Sequence, residues 1–454
     1  MERRYRVGRF TQKGLSYLLE RCTRLEALHL NSQPNLTVIP ASIGGLASLK
    51  SLRIKDRGRV ALHPGAFTSL QALAHLVLEM YGLGELPQGF GNLRLLKSLR
   101  LHRCTRLRSI PESFGQLTNL THLFISRSAR LQLPESISNL SSLLTLEISY
   151  WKKLSPLPES FGYLPALETI RLECVEGFTN FPASLGQLQR LRFLTVIYCH
   201  DIVSLPASLS HLPCLTDLIL INLHLRHLPL DAASLTHLRM LRLDVGADVH
   251  LHPAMYLATT LKKLTLEKSE TPHFLPEGIG QLTALEALLL LHIFELSSLP
   301  ASLGNLRSLR DLKISGCSML AQLPDSLTLL SSLELLEISY CCNLTALPQG
   351  DGLHSLRILI LHECTALARL PPSFSNLSSL ETLKIFGATS LVTLPGRFSR
   401  LTSLKELTLF DLPHLLALPP SLPAIGLTLT SLVVIGCSQI TALPEEIGQL
   451  GGLV

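Results

Sequence analysis

One pattern recurs along nearly the whole chain and leaves few folds open to it. The frame L-x-x-L-x-[LIV] starts at Leu25, Leu49, Leu73, Leu96, Leu120, Leu143, Leu167, Leu191, Leu215, Leu238, Leu261, Leu285, Leu309, Leu333, Leu356, Leu380, Leu404 and Leu429, eighteen times at intervals of 23 to 25 residues. Each copy carries a proline fourteen or fifteen positions after its first leucine, from Pro40 and Pro64 to Pro419 and Pro444, and these account for 18 of the 27 prolines. Self-similarity at this period marks a stack of like units rather than one mixed core.

Offsets 0, 3 and 5 of the frame place leucines at the start and on the inward side of a short strand, and the residues between them point the other way. A single unit cannot hold itself together. Burying a large apolar side chain contributes about 1.5–3 kcal/mol, ordering each residue costs about 1–2 kcal/mol, and so a unit is stable only against neighbours. The proline fixes φ and donates no hydrogen bond, which suits the turn into the outer half of the coil, and the following S-x-G step suits a short helical turn. Long strands on one side and compact turns on the other predict an α/β solenoid with a concave parallel sheet.

The period, the strand signature and the phrases "LPESFGYL" (Leu157–Leu164) and "LPASLGNL" (Leu299–Leu306) resemble the leucine-rich repeat family, whose fold is a horseshoe with turns or helical turns on its convex side. "IPESFGQLTNLTHL" (Ile110–Leu123) and "LEISYCCNLTALP" (Leu336–Pro348) look like repeats of plant intracellular immune receptors of the nucleotide-binding type, and are similar to the plant Ras-group leucine-rich repeat proteins. The extracellular plant consensus L-x-G-x-I-P is missing from the units. The resemblance implies a non-catalytic protein-recognition module in signalling or plant-type defence, which senses an effector or ligand and holds a larger receptor inactive. A standalone Ras-group scaffold and the substrate-recognition region of a ubiquitin ligase are its alternatives. The expected organisation is an incomplete N-terminal repeat or cap over residues 1–24, where "LSYLLERCTRL" reads as the outer half of a unit whose strand is absent. About eighteen units follow over 25–454 without a recognisable C-terminal cap, as expected of one region of a larger receptor.

The adjacent Cys341 and Cys342 suggest metal or redox chemistry until the frame is laid over them. Six of the ten cysteines, Cys104, Cys199, Cys317, Cys341, Cys364 and Cys437, fall at offset 8, where the chain leaves the strand. Asn or Cys is favoured at this inward position in leucine-rich repeats, and a free cysteine there acts as a small buried hydrophobe with a weak donor. Trp151 and Lys152 occupy the two slots in an earlier copy. Cys317, Cys341 and Cys364 fall in consecutive units and would lie about 4.8 Å apart, near enough for a disulfide or a thiolate-bound metal. No C-x-x-C pair and no completing histidine accompany them, and the sequence offers no cofactor or metal site. No phosphate loop, dinucleotide fingerprint, H-E-x-x-H helix or G-x-S-x-G elbow occurs, so no catalytic residue is assigned and an enzyme is not expected.

No apolar run reaches the roughly 18 residues that span a bilayer, and the basic start "MERRYRVGRFTQKG" precedes no apolar segment, so a cytoplasmic location is expected. Charge is uneven: residues 1–130 hold 20 Lys/Arg against 7 Asp/Glu, whereas residues 131–454 hold 20 against 27. Outward offsets 2, 4, 6 and 7 vary from unit to unit and nominate two partner surfaces. Phe193, Ile197, Tyr198, Ile219 and Ile221 form an apolar neighbourhood of the kind that marks protein interfaces. Arg53, Lys55, Arg100, His102, Arg103 and Arg127 form a basic strip suited to an acidic protein or domain. Sparse aromatics, Phe124 chief among them, and the lack of a nucleic-acid motif favour protein over nucleic acid.

Overall fold

The computed structural model describes residues 4–7, 11–31, 36–58, 60–128, 131–225, 235–244, 259–269 and 275–452. They group into two compact units, residues 1–237 and 238–454. In the first, ten parallel strands pair each with the next: Arg4–Val7, Ala27–Asn31, Ser51–Asp56, His75–Met80, Ser98–His102, His122–Ser126, Thr145–Trp151, Thr169–Val175, Phe193–Ile197 and Asp217–Ile221. In the second, nine do so: Met240–Asp244, Lys263–Ser269, Ala287–Ile293, Asp311–Ser315, Leu335–Ser339, Ile358–His362, Thr382–Phe386, Glu406–Phe410 and Ser431–Ile435. Both units are leucine-rich repeat solenoids.

The register is the one the frame demands. Leu146 of one strand faces Ile170 of the next, which faces Leu194, and all three are fully buried. Across most of the strands burial alternates, as in Ser98–His102, so that one face packs inward and the other meets water.

Most of the described repeat prolines directly precede a 3-10 turn. Pro111, with φ −67° and ψ 151°, precedes the turn Glu112–Gln116, and Pro158, with φ −64°, precedes Glu159–Tyr163. The recurring P-E-S-x-G phrase acquires a function here. The Glu112 carboxylate accepts from the Ser136 N–H one unit on at 3.2 Å, and the Ser136 hydroxyl returns a bond to the Glu112 carbonyl at 2.8 Å. The glycine lets the turns approach: a Cβ at Gly162 would fall 2.5 Å from the carbonyl carbon and Cβ of Ser184 and nearer still to its oxygen. Phenylalanines meet in a row here, Phe67 edge to face with Phe90 at a centroid distance of 5.4 Å and Phe90 stacked with Phe114 at 6.2 Å.

The N-terminal segment differs from the expectation of a missing strand. Strand Arg4–Val7 pairs in parallel with Ala27–Asn31, and the helix Gln12–Arg21 between them packs against the 3-10 turn Ala41–Gly45. Thr11 caps that helix by accepting from the Gly14 N–H at 3.2 Å, and Leu15 and Leu19 are its buried face. Among the described residues no helix is long and apolar enough to cross a membrane.

A further regularity lies where the strands end. Ten non-glycine residues at offset 7, among them Arg103, Arg127, Tyr150, Tyr198, Tyr340 and Asp411, have φ between 51° and 56°, and Gly316, Gly387 and Gly436 share the position. Bulky residues rarely adopt this left-handed conformation. It is held by a repeated bond: the N–H of Arg103 donates to the Ser126 carbonyl, that of Tyr340 to His362, and that of Asp411 to Ile435. The chain then turns inward to offset 8, where Cys104, Cys341 and Cys364 are buried and direct their thiols at the carbonyls of Leu78, Ile314 and Ile338 in the preceding unit. All ten cysteines are free. Burial pushes the Cys104 and Cys199 thiols up to about 11 and that of Cys364 to about 12.

Candidate functional site

Five neighbouring strands of the first unit bring the predicted basic residues onto one water-facing surface. Lys55, Glu79 and His102 stand in register on Ser51–Asp56, His75–Met80 and Ser98–His102. Arg53, Val77, Arg100 and Phe124 form the adjoining row, and Arg103 follows His102 at the left-handed position. Together with Ser126, Glu147 and Ser149 they line a hollow of about 540 Å³. Arg127 stands at its edge, where its backbone N–H donates to the Ser149 carbonyl and its guanidinium lies 5.3 Å from the Tyr150 ring centroid.

Glu79 organises the floor of this hollow. Its side chain is only 6% exposed, and it pairs with Lys55 Nζ at 3.4 Å on one side and with an Arg103 guanidinium nitrogen at 3.3 Å on the other. The carboxylate holds two flexible cations in place without neutralising the surface. Arg53, Lys55, Arg100 and Arg103 stand against Glu79 and Glu147, leaving a net of two positive charges among the lining residues, or three with Arg127. Arg100 lies over the Phe124 ring at 4.4 Å, and the His122 ring lies nearly parallel to that ring at 6.1 Å, so aromatic surface stiffens the cation. His102 hydrogen-bonds through Nδ1 with the Ser126 hydroxyl. Burial depresses its pKa below the ordinary 6.5, Glu79 opposes the shift, and Arg103, Arg127 and Lys55 reinforce it. At neutral pH this histidine is a neutral hydrogen-bonding group. The arrangement provides fixed cations and donors for carboxylates.

The predicted apolar neighbourhood is only partly assembled. Phe193 and Tyr198 are exposed, and Ile197 and Ile219 are half-buried on adjacent strands. Ile221 corrects the expectation: it is 5% exposed and belongs to the interior. It ends its strand opposite Ile197, where the left-handed turn at Tyr198 brings that residue's N–H onto the Ile221 carbonyl at 2.9 Å. The Arg192 guanidinium also lies over the Phe193 ring at 5.5 Å, so the contiguous apolar area is smaller than the sequence suggested.

Two features of the second unit were missed. At offset 1 charges alternate and pair along the rim, Lys262 with Glu286 at 2.7 Å, Arg310 with Glu334 at 3.1 Å, and Glu381 with both Arg357 and Lys405 at 2.6 and 2.7 Å. At offset 6 the residues His362, Phe386, Phe410 and Ile435 stand in register on four consecutive strands. Reading one offset down successive units, rather than along each strand, exposes both rows. Among the described residues no cluster of three or more His, Cys, Asp or Glu has metal-binding geometry.

Comparison with known proteins agrees with the fold. A family model described as a leucine-rich repeat region matches residues 67–155. No curated protein matches the chain. The structure of a leucine-rich repeat protein from Leptospira interrogans is similar over 86% of this chain and 94% of its own, with 23% identity and a TM-score of 0.59. The leucine-rich repeat domain of the type III effector XopL is 24% identical over 53% of this chain and 76% of its own, with a TM-score of 0.38. The Arabidopsis receptor kinase HAESA, solved with the peptide hormone IDA and a co-receptor, is 18% identical over 91% of this chain and 83% of its own, with a TM-score of 0.39. At these levels the likeness concerns the repeat fold alone.

Proposed function

We propose that this chain is a non-catalytic protein-recognition module whose basic hollow, on the water-facing side of the first unit's sheet, takes an acidic segment of a partner protein or of a neighbouring domain. The observation that carries the reading is the fixed cation set around Glu79. Lys55 and Arg103 are held by that carboxylate while Arg53, Arg100 and Arg127 retain their charge toward solvent. Preorganised cations cost less to order on binding than free lysines, and a hollow of one sign steers an oppositely charged partner. The apolar neighbourhood of Phe193, Ile197, Tyr198 and Ile219 is a secondary contact in this reading.

We place the module in intracellular signalling or defence of the plant type, as the sensing and inhibitory region of a larger receptor. Support comes from the repeat phrases around Pro111 and Cys341 and from ten unbridged cysteines, as expected in a reducing compartment. A standalone scaffold and a ubiquitin-ligase recognition region remain the competing placements, and the sequence encoded next to this region in the full transcript decides among them.

The binding reading is tested by titrating a fluorescent glutamate-rich peptide at low and high salt. The wild-type chain is expected to bind and to weaken with salt, and Arg100→Glu with Arg127→Glu is expected to abolish binding. Binding that ignores both salt and the double charge reversal refutes the assignment of the hollow.

A further inference from the structure

The row at offset 6 of the second unit carries an assignment of its own. Tyr340, at offset 7 just past strand Leu335–Ser339, and His362 have ring centroids 4.8 Å apart, His362 and Phe386 5.6 Å, and Phe386 and Phe410 6.2 Å, so four rings follow one another across four consecutive repeats. Tyr340 is 49% exposed, Phe410 43% and Ile435, which continues the row, 53%. Aromatic surface in such a contiguous line is expensive to leave in water and is the usual lining of grooves that dock extended segments.

Two carboxylates flank the row. Glu363 and Asp411 occupy the left-handed offset-7 position beside His362 and Phe410. The next unit places a glycine at the same offset in each case, Gly387 after Glu363 and Gly436 after Asp411. A Cβ at Gly387 would lie 2.5 Å from the Glu363 carboxylate, and one at Gly436 would lie 3.6 Å from that of Asp411. Gly387 therefore makes room for the Glu363 carboxylate, whereas Gly436 clears the Asp411 backbone, at 3.0 Å from its Cα. Unlike the paired charges at offset 1, neither acid has an ion pair among the described residues. Lys384, on the strand between the two acids, is engaged by Glu406 at 3.1 Å.

Spacing names the occupant. The acids are two strands apart, about 10 Å at the usual inter-strand distance. In a β-strand, side chains on one face recur at about 6.6 and 13 Å, and neither interval fits. A polyproline II segment returns to the same face every third residue at about 9.3 Å, and its fixed backbone loses little entropy on docking against aromatic rings. We propose that Tyr340, His362, Phe386 and Phe410 dock an extended, proline-containing protein segment whose two basic residues, three positions apart, meet Glu363 and Asp411. The proline rings pack on the aromatic row, and the stems of the cations cross the Phe386 and Phe410 faces. The acids disfavour a phosphate backbone at the same place. This surface rests on the reading of the chain as a protein-recognition module, but it is opposite in sign to the basic hollow and needs none of its residues.

The experiment is a fluorescence anisotropy titration of the full chain with labelled peptides in which two prolines separate two arginines. Saturable binding is expected, weakened about tenfold by Glu363→Gln with Asp411→Asn, since two exposed ion pairs together contribute about one decade of affinity. Phe410→Ala is expected to weaken it further, whereas Arg100→Glu with Arg127→Glu leaves it unchanged. Those charge reversals abolish only the glutamate-rich peptide, so the two assignments fail separately. Peptide changes leave the protein untouched: replacing both arginines with citrulline, or moving them to two positions apart, is expected to cost as much as the acid substitutions. Absence of saturable binding overturns the proposal, as does equal affinity for the citrulline peptide or displacement by a single-stranded oligonucleotide.

Discussion

Replacing Gly162 with alanine adds one methyl group where two 3-10 turns touch. The new Cβ would stand 2.5 Å from the carbonyl carbon and the Cβ of Ser184, and closer to the Ser184 oxygen, all within a segment buried between units. Real contacts at such distances do not persist, and most of the obstruction is backbone, so the turn Ala183–Gln187 must move as a whole. Overpacking of this kind costs about 1–3 kcal/mol, and a backbone obstacle with no rotamer escape points to the upper part of that range. Gly45 supplies the control, because a Cβ there meets nothing within 4 Å. Alanine at 45 is expected to be neutral or to stabilise by about 0.4–1 kcal/mol through the unfolded chain. Urea unfolding followed by circular dichroism separates the two: Gly162→Ala should lower the midpoint and Gly45→Ala should not. Stacked repeats unfold through coupled neighbours, so the comparison is between variants of the same chain rather than with an absolute stability. An unchanged midpoint for Gly162→Ala, or an equal loss for Gly45→Ala, refutes the account of why S-x-G recurs.

Four further outcomes follow from other parts of the structure. A timed thiol reaction at pH 8 should modify exposed Cys214 and Cys342 first and leave Cys104, Cys199 and Cys364 until unfolding, because burial raises those three thiols to about 11, 11 and 12; rapid reaction of all ten in the native state contradicts this. His102 has a depressed folded pKa, so the unfolded chain binds the proton more readily; stability should fall as pH drops below the ordinary 6.5, and His102→Gln should reduce that dependence in urea titrations across acid pH. Below the same window, protonated His102 adds a cation to the hollow, so acid should tighten the glutamate-rich peptide. Phe193→Asp with Ile219→Asp should remove a captured protein partner without shifting the unfolding curve, and unchanged capture dismisses that neighbourhood.

The inward half of each unit was readable because its residues answer to one requirement, burial, at fixed offsets. Leu143, Leu146 and Ile148 had to be apolar, and the offset-8 residues Cys104, Trp151 and Cys341 had to tolerate burial at the turn. The outward half answers to nothing within its own unit. The left-handed residue at offset 7 is more often a residue such as Arg103, Tyr198, Glu363 or Asp411 than glycine, so the usual sequence sign of positive φ is diluted and the conformation is enforced by a bond to the next unit. The same turn hid the burial of Ile221, which simple strand alternation placed in water. Strand Arg4–Val7 escaped notice because "RYRV" lacks the leucine frame and is specified by pairing with Ala27–Asn31. The basic strip was legible as a list of outward residues. Its organising group, Glu79, was not, since a carboxylate between two cations is defined only once three strands are in register.

The central claim is that the water-facing side of the sheet recognises an acidic protein segment. Site-specific photocrosslinking tests it directly, with a benzophenone side chain placed at Phe124 inside the hollow or at Tyr163, which is exposed on a 3-10 turn at the far end of its unit. The account predicts crosslinks from position 124 to an Asp/Glu-rich segment, lost at high salt and in Arg100→Glu with Arg127→Glu. Crosslinks confined to position 163, or a segment from position 124 without acidic residues, would contradict it.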